Sequence, residues 1–297
     1  MPLSQRADNM DVSNTVDVTD SRAVTAALRS ILDRRYPGFD FAPVNTMVED
    51  FICLYQGEYP GYQACDVSYH NIQHVLDVTL AMARLIDGYE SATDEHESLG
   101  PELALTGIAC AVFHDSGYIR RSGDRKHKNG AEYTRIHVSR SARFMGEYLP
   151  TIGHAYLVPR CMRIVHFTGY EVDPCNIEVD SAKEYSLGSL LGTADLIAQM
   201  ADKAYLQKCH DFLYTEFVAG GIAGDNGLEG YAAPVYQSAE HLLALTPNYM
   251  RTAIDVRLDG YFNRAYRYAA EFFGGPNLYM EAIELNRLQL ERLLASK

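Results

Sequence analysis

Residues 103–113 read Leu-Ala-Leu-Thr-Gly-Ile-Ala-Cys-Ala-Val-Phe, and His114-Asp115 follows at once, then Ser116-Gly117-Tyr118. The run is apolar all round, so it predicts a central helix buried on most sides. Gly100-Pro101 stands before it, and proline suits a first helical turn. Gly117 stands just after it and is expected to act as a C-terminal stop. Burying a histidine and an aspartate at the end of such a helix costs several kcal/mol unless both are paired or coordinate a metal. His114 and Asp115 therefore read as ligands.

Outward from this helix, partners of the same chemistry recur. Upstream, Ser68-Tyr69-His70-Asn71-Ile72-Gln73-His74 opens a helical pattern running to about Leu85. His70 and His74 are four residues apart and are expected on one helix face. Downstream, His137 and His166 fall on or at the end of expected helices at 131–148 and 155–166, and Asp195 on a long one from about Ser186 past Tyr214. His74, His114, Asp115, His137, His166 and Asp195 together suit one or two divalent ions such as Fe, Mn, Zn, Co, Ni or Mg. A carboxylate such as Asp115 can bridge two metals, and two metals about 3.5–4 Å apart can clamp a phosphoryl group and activate water. His70, one turn from His74, would face the same cavity as a general acid. Asn71 reads as a cap or orienting residue, while Gln199, Arg140 and Lys126 are candidates for contacting substrate.

Three segments carry a resemblance to a known family. Residues 69–78, Tyr-His-Asn-Ile-Gln-His-Val-Leu-Asp-Val, resemble the opening signature HNxxHxxDV of cyclic-nucleotide phosphodiesterases. Phe113-His114-Asp115 is similar to the HD pair, and Thr193-Ala194-Asp195-Leu196 to the late metal-binding aspartate, of the HD-domain superfamily of metal-dependent phosphohydrolases. The resemblance spans about 69–199. It implies a phosphodiesterase-like helical bundle with His74, His114, Asp115 and Asp195 as first-metal ligands and His70 as proton donor. The implied reaction is hydrolysis of a phosphoester, a nucleotide or cyclic nucleotide being the natural guess, by metal-activated water. The further histidine that phosphodiesterases carry shortly after the HD pair is missing here. The order H, HD, H, H, D through His137 and His166 instead resembles dinuclear members, among them HD-GYP phosphodiesterases and di-iron oxygenases related to myo-inositol oxygenase, although the GYP signature is absent. A di-iron oxygenase and a non-catalytic nucleotide-binding HD module are the alternatives this leaves.

Composition bounds the rest. The chain has 297 residues, 47% hydrophobic and 22% charged, enough for a real core. A net charge of -13 argues against nucleic-acid polymers as partners but not against a small anionic phosphoester held by metal. Six scattered cysteines without a CxxC read as reduced thiols in a cytoplasmic protein. The polar N-terminus lacks a signal-peptide pattern, and no apolar run approaches the roughly 18 residues of a membrane span. Oligomeric state is left open, a homodimer included.

Taken in order, residues 1–20 read as a disordered or loosely docked tail. Ser21 is expected to cap a helix to Arg35, and a second helix covers 44–55. Residues 87–100 read as a surface loop and 120–129 as a basic flexible stretch. Gly220 to Gly230 is a breaker, followed by helices near 235–245, 250–273 and 278–294. His210-Asp211 reads as a chance dipeptide, His96, His127, His154 and His241 as surface residues, and Tyr261, Tyr266 and Tyr268 as core or interface. The expected architecture is all-α, with an N-terminal tail and helix (1–40), a metal-binding catalytic core (41–217) and a C-terminal helical extension (218–297).

Overall fold

The computed structural model describes residues 6–224 and 235–296. It is all-α: among the described residues β pairing is limited to isolated bridges. The helices that place the site are α1 (Ser21–Arg35), α2 (Ala42–Gln56), α3 (Ile72–Ala92), α4 (Gly100–Phe113), α5 (His137–Tyr148), α6 (Val158–Ile164) and α7 (Ala182–Ala201). Then come α8 (Tyr205–Lys208), α9 (Tyr214–Ala219), α10 (Ala239–Thr252), α11 (Tyr268–Phe273) and α12 (Leu278–Ala295). No described helix is long and apolar enough to cross a membrane.

The apolar run forms α4, and every residue from Ala104 to Phe113 is buried. It packs on α3, α7, α2 and α6, and α3 in turn packs on α7, α1 and α11. With neighbours on so many sides the helix needs no polar stripe. Gly117 does not end it through a left-handed turn. A Cβ there would lie 1.8 Å from the His137 carbonyl oxygen, so this glycine lets α5 close against the His114-Asp115 corner. The contact is fastened by hydrogen bonds: Gly117 N–H donates to Ser141 Oγ at 2.8 Å, and the Ser141 hydroxyl donates to the His114 carbonyl.

Several expectations need correction. Residues 6–20 of the expected tail are docked, residues 1–5 lying outside those described: Val12 and Val18 are buried, and the Asp11 carboxylate accepts N–H bonds from Ser13, Thr15 and Val16. Its many Asp and Ser residues fold turns rather than avoid a core. Asp20, not Ser21, caps α1. Residues 87–92 belong to α3, where buried Asp87 pairs with Arg34 and Arg35 at 3.1 and 2.8 Å. The 120–129 stretch is tied down: Arg120 pairs with Asp66 at 2.7 Å, and Asp124 accepts from Tyr133. The expected helix 131–148 divides into a 3-10 turn (Gly130–Tyr133) and α5, so His137 opens α5. The expected long helix stops at Ala201: Asp202 leaves the helical path as its C-cap and folds its side chain onto the Ala204 N–H at 2.8 Å, ahead of α8. A π-helical turn (Cys209–Leu213) joins α8 to α9. The breaker at 220–230 lies outside the described residues from 225 onward. The C-terminal helices share the core, α12 and α11 packing on α7 and α3.

Candidate metal centre

Asn71 adopts extended backbone, and its side chain accepts the His74 N–H at 3.1 Å, starting α3 with His74 in the first turn. His70 therefore precedes the helix instead of sharing a face with His74, although both line the same cavity. His114 extends the helical path of α4 by one residue, and Asp115 leaves it. Asp195 projects from the middle of α7.

These elements bring four side chains to one point. His74 Nε2 lies 3.4 Å from His114 Nε2, 3.4 Å from Asp115 Oδ2 and 3.5 Å from Asp195 Oδ1. His114 Nε2 lies 3.2 Å from Asp115 Oδ2 and 3.9 Å from Asp195 Oδ1. Ligand atoms bound to one ion at about 2.0–2.2 Å lie about 3.0–3.5 Å from each other, the range seen among the first three. The orienting bonds agree. His114 Nδ1 donates to the Ala111 carbonyl at 2.8 Å, which leaves the Nε2 lone pair for a ligand. Asp115 Oδ2 is buried without a hydrogen-bond partner. The donor set His74, His114 and Asp115, with Asp195 beside it, thus fits a divalent cation.

Electrostatics point the same way. Burial drives His74 toward neutrality, yet the Asp115 and Asp195 carboxylates overcome it and push its pKa up to about 10. Burial works against ionised Asp115 too, but His114, His70 and His74 hold it well below the usual carboxylate range. The cluster calls for positive charge, which either extra protons or a cation can supply.

His137 takes a second position. Its Nδ1 donates to the Thr134 carbonyl at 2.7 Å, and its Nε2 stands 3.6 Å from Asp115 Oδ1, the oxygen turned away from His74 and His114. Burial lowers its pKa despite Asp115. His166 does not join it. It is absent from the cavity wall, no ring nitrogen comes within ion-pair distance of a carboxylate among the described residues, and its Nδ1 is buried without a partner. The 3-10 turn Val165–Phe167 that ends α6 sets its direction.

His70 is held by a residue that sequence reasoning missed. Its Nδ1–H donates to Glu216 on α9, whose other oxygen accepts the Tyr69 N–H at 3.1 Å. Burial disfavours the imidazolium, but Glu216 and Asp115 outweigh it and raise the His70 pKa. A lone glutamate 146 residues away on a partly exposed helix carries no signal of this in the sequence. Tyr118 was missed as well. Its ring stacks between His70 (4.6 Å, 19°) and His137 (4.5 Å, 18°).

The substrate candidates divide. Gln199 lines the cavity, its Oε1 accepting the Tyr69 hydroxyl at 3.0 Å. Arg140 does not line it. Its guanidinium donates to the Gly117 and Ile119 carbonyls at 2.6 and 3.0 Å and lies over Tyr133, so it braces the turn after Asp115. Lys126 is exposed and off the wall. His210-Asp211 forms a surface pair at 2.7 Å, remote from the cluster. The wall also draws Leu242, Leu245, Thr246 and Tyr249 from α10, so the cavity reaches beyond the expected core of 41–217. No family model, curated protein or solved structure matches this chain.

Proposed function

We propose that the protein is a metal-dependent phosphoester hydrolase of the HD-domain type, working on a nucleotide or similar small phosphoester in the reducing cytoplasm. The observation that carries this reading is the meeting of the His74 and His114 Nε2 atoms with Asp115 Oδ2, from α3 and the end of α4, at 3.2–3.4 Å. One or two divalent cations bound there would polarise a phosphoryl group and lower the pKa of water to near neutrality.

The chain's own residues divide the remaining tasks. His74, His114, Asp115 and Asp195 would hold one cation, and the second oxygen of Asp115, 3.6 Å from His137 Nε2, would be available with that histidine for another. His70 faces the cavity with Nδ1 committed to Glu216, which leaves Nε2 as the atom that can carry a proton to the departing oxygen. Glu216 and Asp115 favour the protonated ring against the cost of burial, as an acid requires. Gln199, fixed by Tyr69, offers its amide to the substrate. The His70–Glu216 pair supplies the proton that a departing alkoxide needs in the hydrolase reading.

Protein purified without chelator and assayed on a panel of phosphoesters tests this. The expected outcome is bound transition metal with release of phosphate or phosphomonoester. Oxygen consumption with an iron-loaded protein and no hydrolysis of any ester would replace the reading with the oxygenase.

A further inference from the structure

The wall of the cavity, about 400 Å³ in volume, is of mixed character. Part of it is the imidazoles and carboxylates described above. Another part is Leu213 and Phe217, from the π turn and α9, with Leu242, Leu245 and Tyr249 from α10. Phe217 stacks on Tyr236 at 5.6 Å and 14°, which stiffens that side. Among the described residues Arg135 is the one arginine or lysine on the wall, and it is an exposed residue that already has an interaction of its own. The carboxylates on the wall are Asp115, Asp195 and Glu171. Glu171 is occupied at the start of α5, where it accepts the Val138 N–H at 2.7 Å and the Ser139 hydroxyl.

This distribution bears on substrate class. Cations at the histidine cluster can neutralise one phosphate. Further phosphates would enter a space with a single guanidinium at its edge, and burying unpaired charge there is costly. An uncharged apolar group gains by entering the same space. Resting on the hydrolase reading above, we infer that the site takes a phosphoester with one phosphate and an uncharged, mostly apolar organic group seated against α9 and α10, and discriminates against polyphosphates.

The test uses the metal-containing protein as purified. The esters methyl, propyl and hexyl phosphate, with phenyl phosphate, ATP and pyrophosphate, are compared by kcat/KM. Binding of methyl- and hexylphosphonate is measured calorimetrically on the same protein and after metal removal. The expected result is a rise of about fourfold per buried methylene in kcat/KM and in phosphonate affinity, with ATP and pyrophosphate far below hexyl phosphate. Leu245→Asn and, separately, Leu213→Asn should flatten both series. A flat series with esters still hydrolysed, or polyphosphates as the best substrates, overturns the inference and leaves the hydrolase reading standing. A length-dependent phosphonate affinity with no ester turned over does the reverse: it supports the apolar seat and removes the hydrolase reading.

Discussion

Two buried aspartates in this molecule have opposite surroundings. Asp11 accepts three backbone N–H bonds and the Ser13 hydroxyl, and pairs with Arg84 of α3 at 2.6 Å. Arg84 also donates to the Tyr279 hydroxyl at 3.0 Å, joining the N-terminal segment, α3 and α12. Asp115 is equally buried, yet its Oδ2 has no hydrogen-bond partner and faces two imidazole nitrogens. A carboxylate that serves the fold is saturated by fixed donors. One left open toward two imidazole nitrogens, at spacings that suit a single ion, can hold a cation.

The largest expected effect breaks the second member of that pair. His114→Ala or Asp115→Ala should lose bound metal and fall to background turnover while remaining folded by circular dichroism. Next, His70→Ala should keep its metal and lose about 10²–10⁴-fold in kcat; loss of metal together with activity would make His70 a ligand instead of an acid.

Breaking the first member should do the converse. Arg84→Met leaves Asp11 charged and buried, and should cost about 3–5 kcal/mol in urea unfolding with metal content unchanged. If metal content fell as well, the two regions would not be independent.

Smaller effects sharpen the contrast. Glu216→Gln removes the carboxylate that raises the His70 pKa. A general acid loses activity as pH rises through its pKa, so the alkaline limb of kcat/KM should move to lower pH. The acid limb should stay in place. Asp77 gives the smallest shift. Burial, with Asp202 and Asp11 nearby, pushes its carboxyl up to about 7 against the pull of Arg84 and Arg6. A raised carboxyl pKa means that stability is greatest below the usual value near 3.8 and is lost as pH rises toward 7. Asp77→Asn should therefore stabilise the protein at pH 8 by about 1–2 kcal/mol, discounted for its partial exposure, and change nothing near pH 3. Equal effects at both pH values would show that packing, not ionisation, is responsible.

What could be read in the sequence is what neighbouring residues settle among themselves. The α4 run had no polar face, so its burial followed, and the helix expected to reach Arg35 ends there. His114 and Asp115 stood out because ionisable groups on a buried helix need partners, and His74 and Asp195 through the motif resemblance of residues 69–78 and 193–196. Features decided by distant chain were not legible. Glu216 reaches His70 only through the folding of α9, and the docking of Asp11 depends on an arginine 73 residues away. The division at 134–136 gives His137 its place at the start of α5, and the short turn at 165–167 takes His166 off the wall. Helical periodicity does not register such short turns.

The most direct measurement counts ions. Chelator-stripped protein is loaded with Mn²⁺ or Zn²⁺, freed of excess and analysed for metal per chain, beside His114→Ala, Asp115→Ala and Arg84→Met prepared identically. Wild type and Arg84→Met should retain at least one ion per chain and the two ligand variants none above background. Full retention by both ligand variants would contradict the assignment of the cluster as a metal centre.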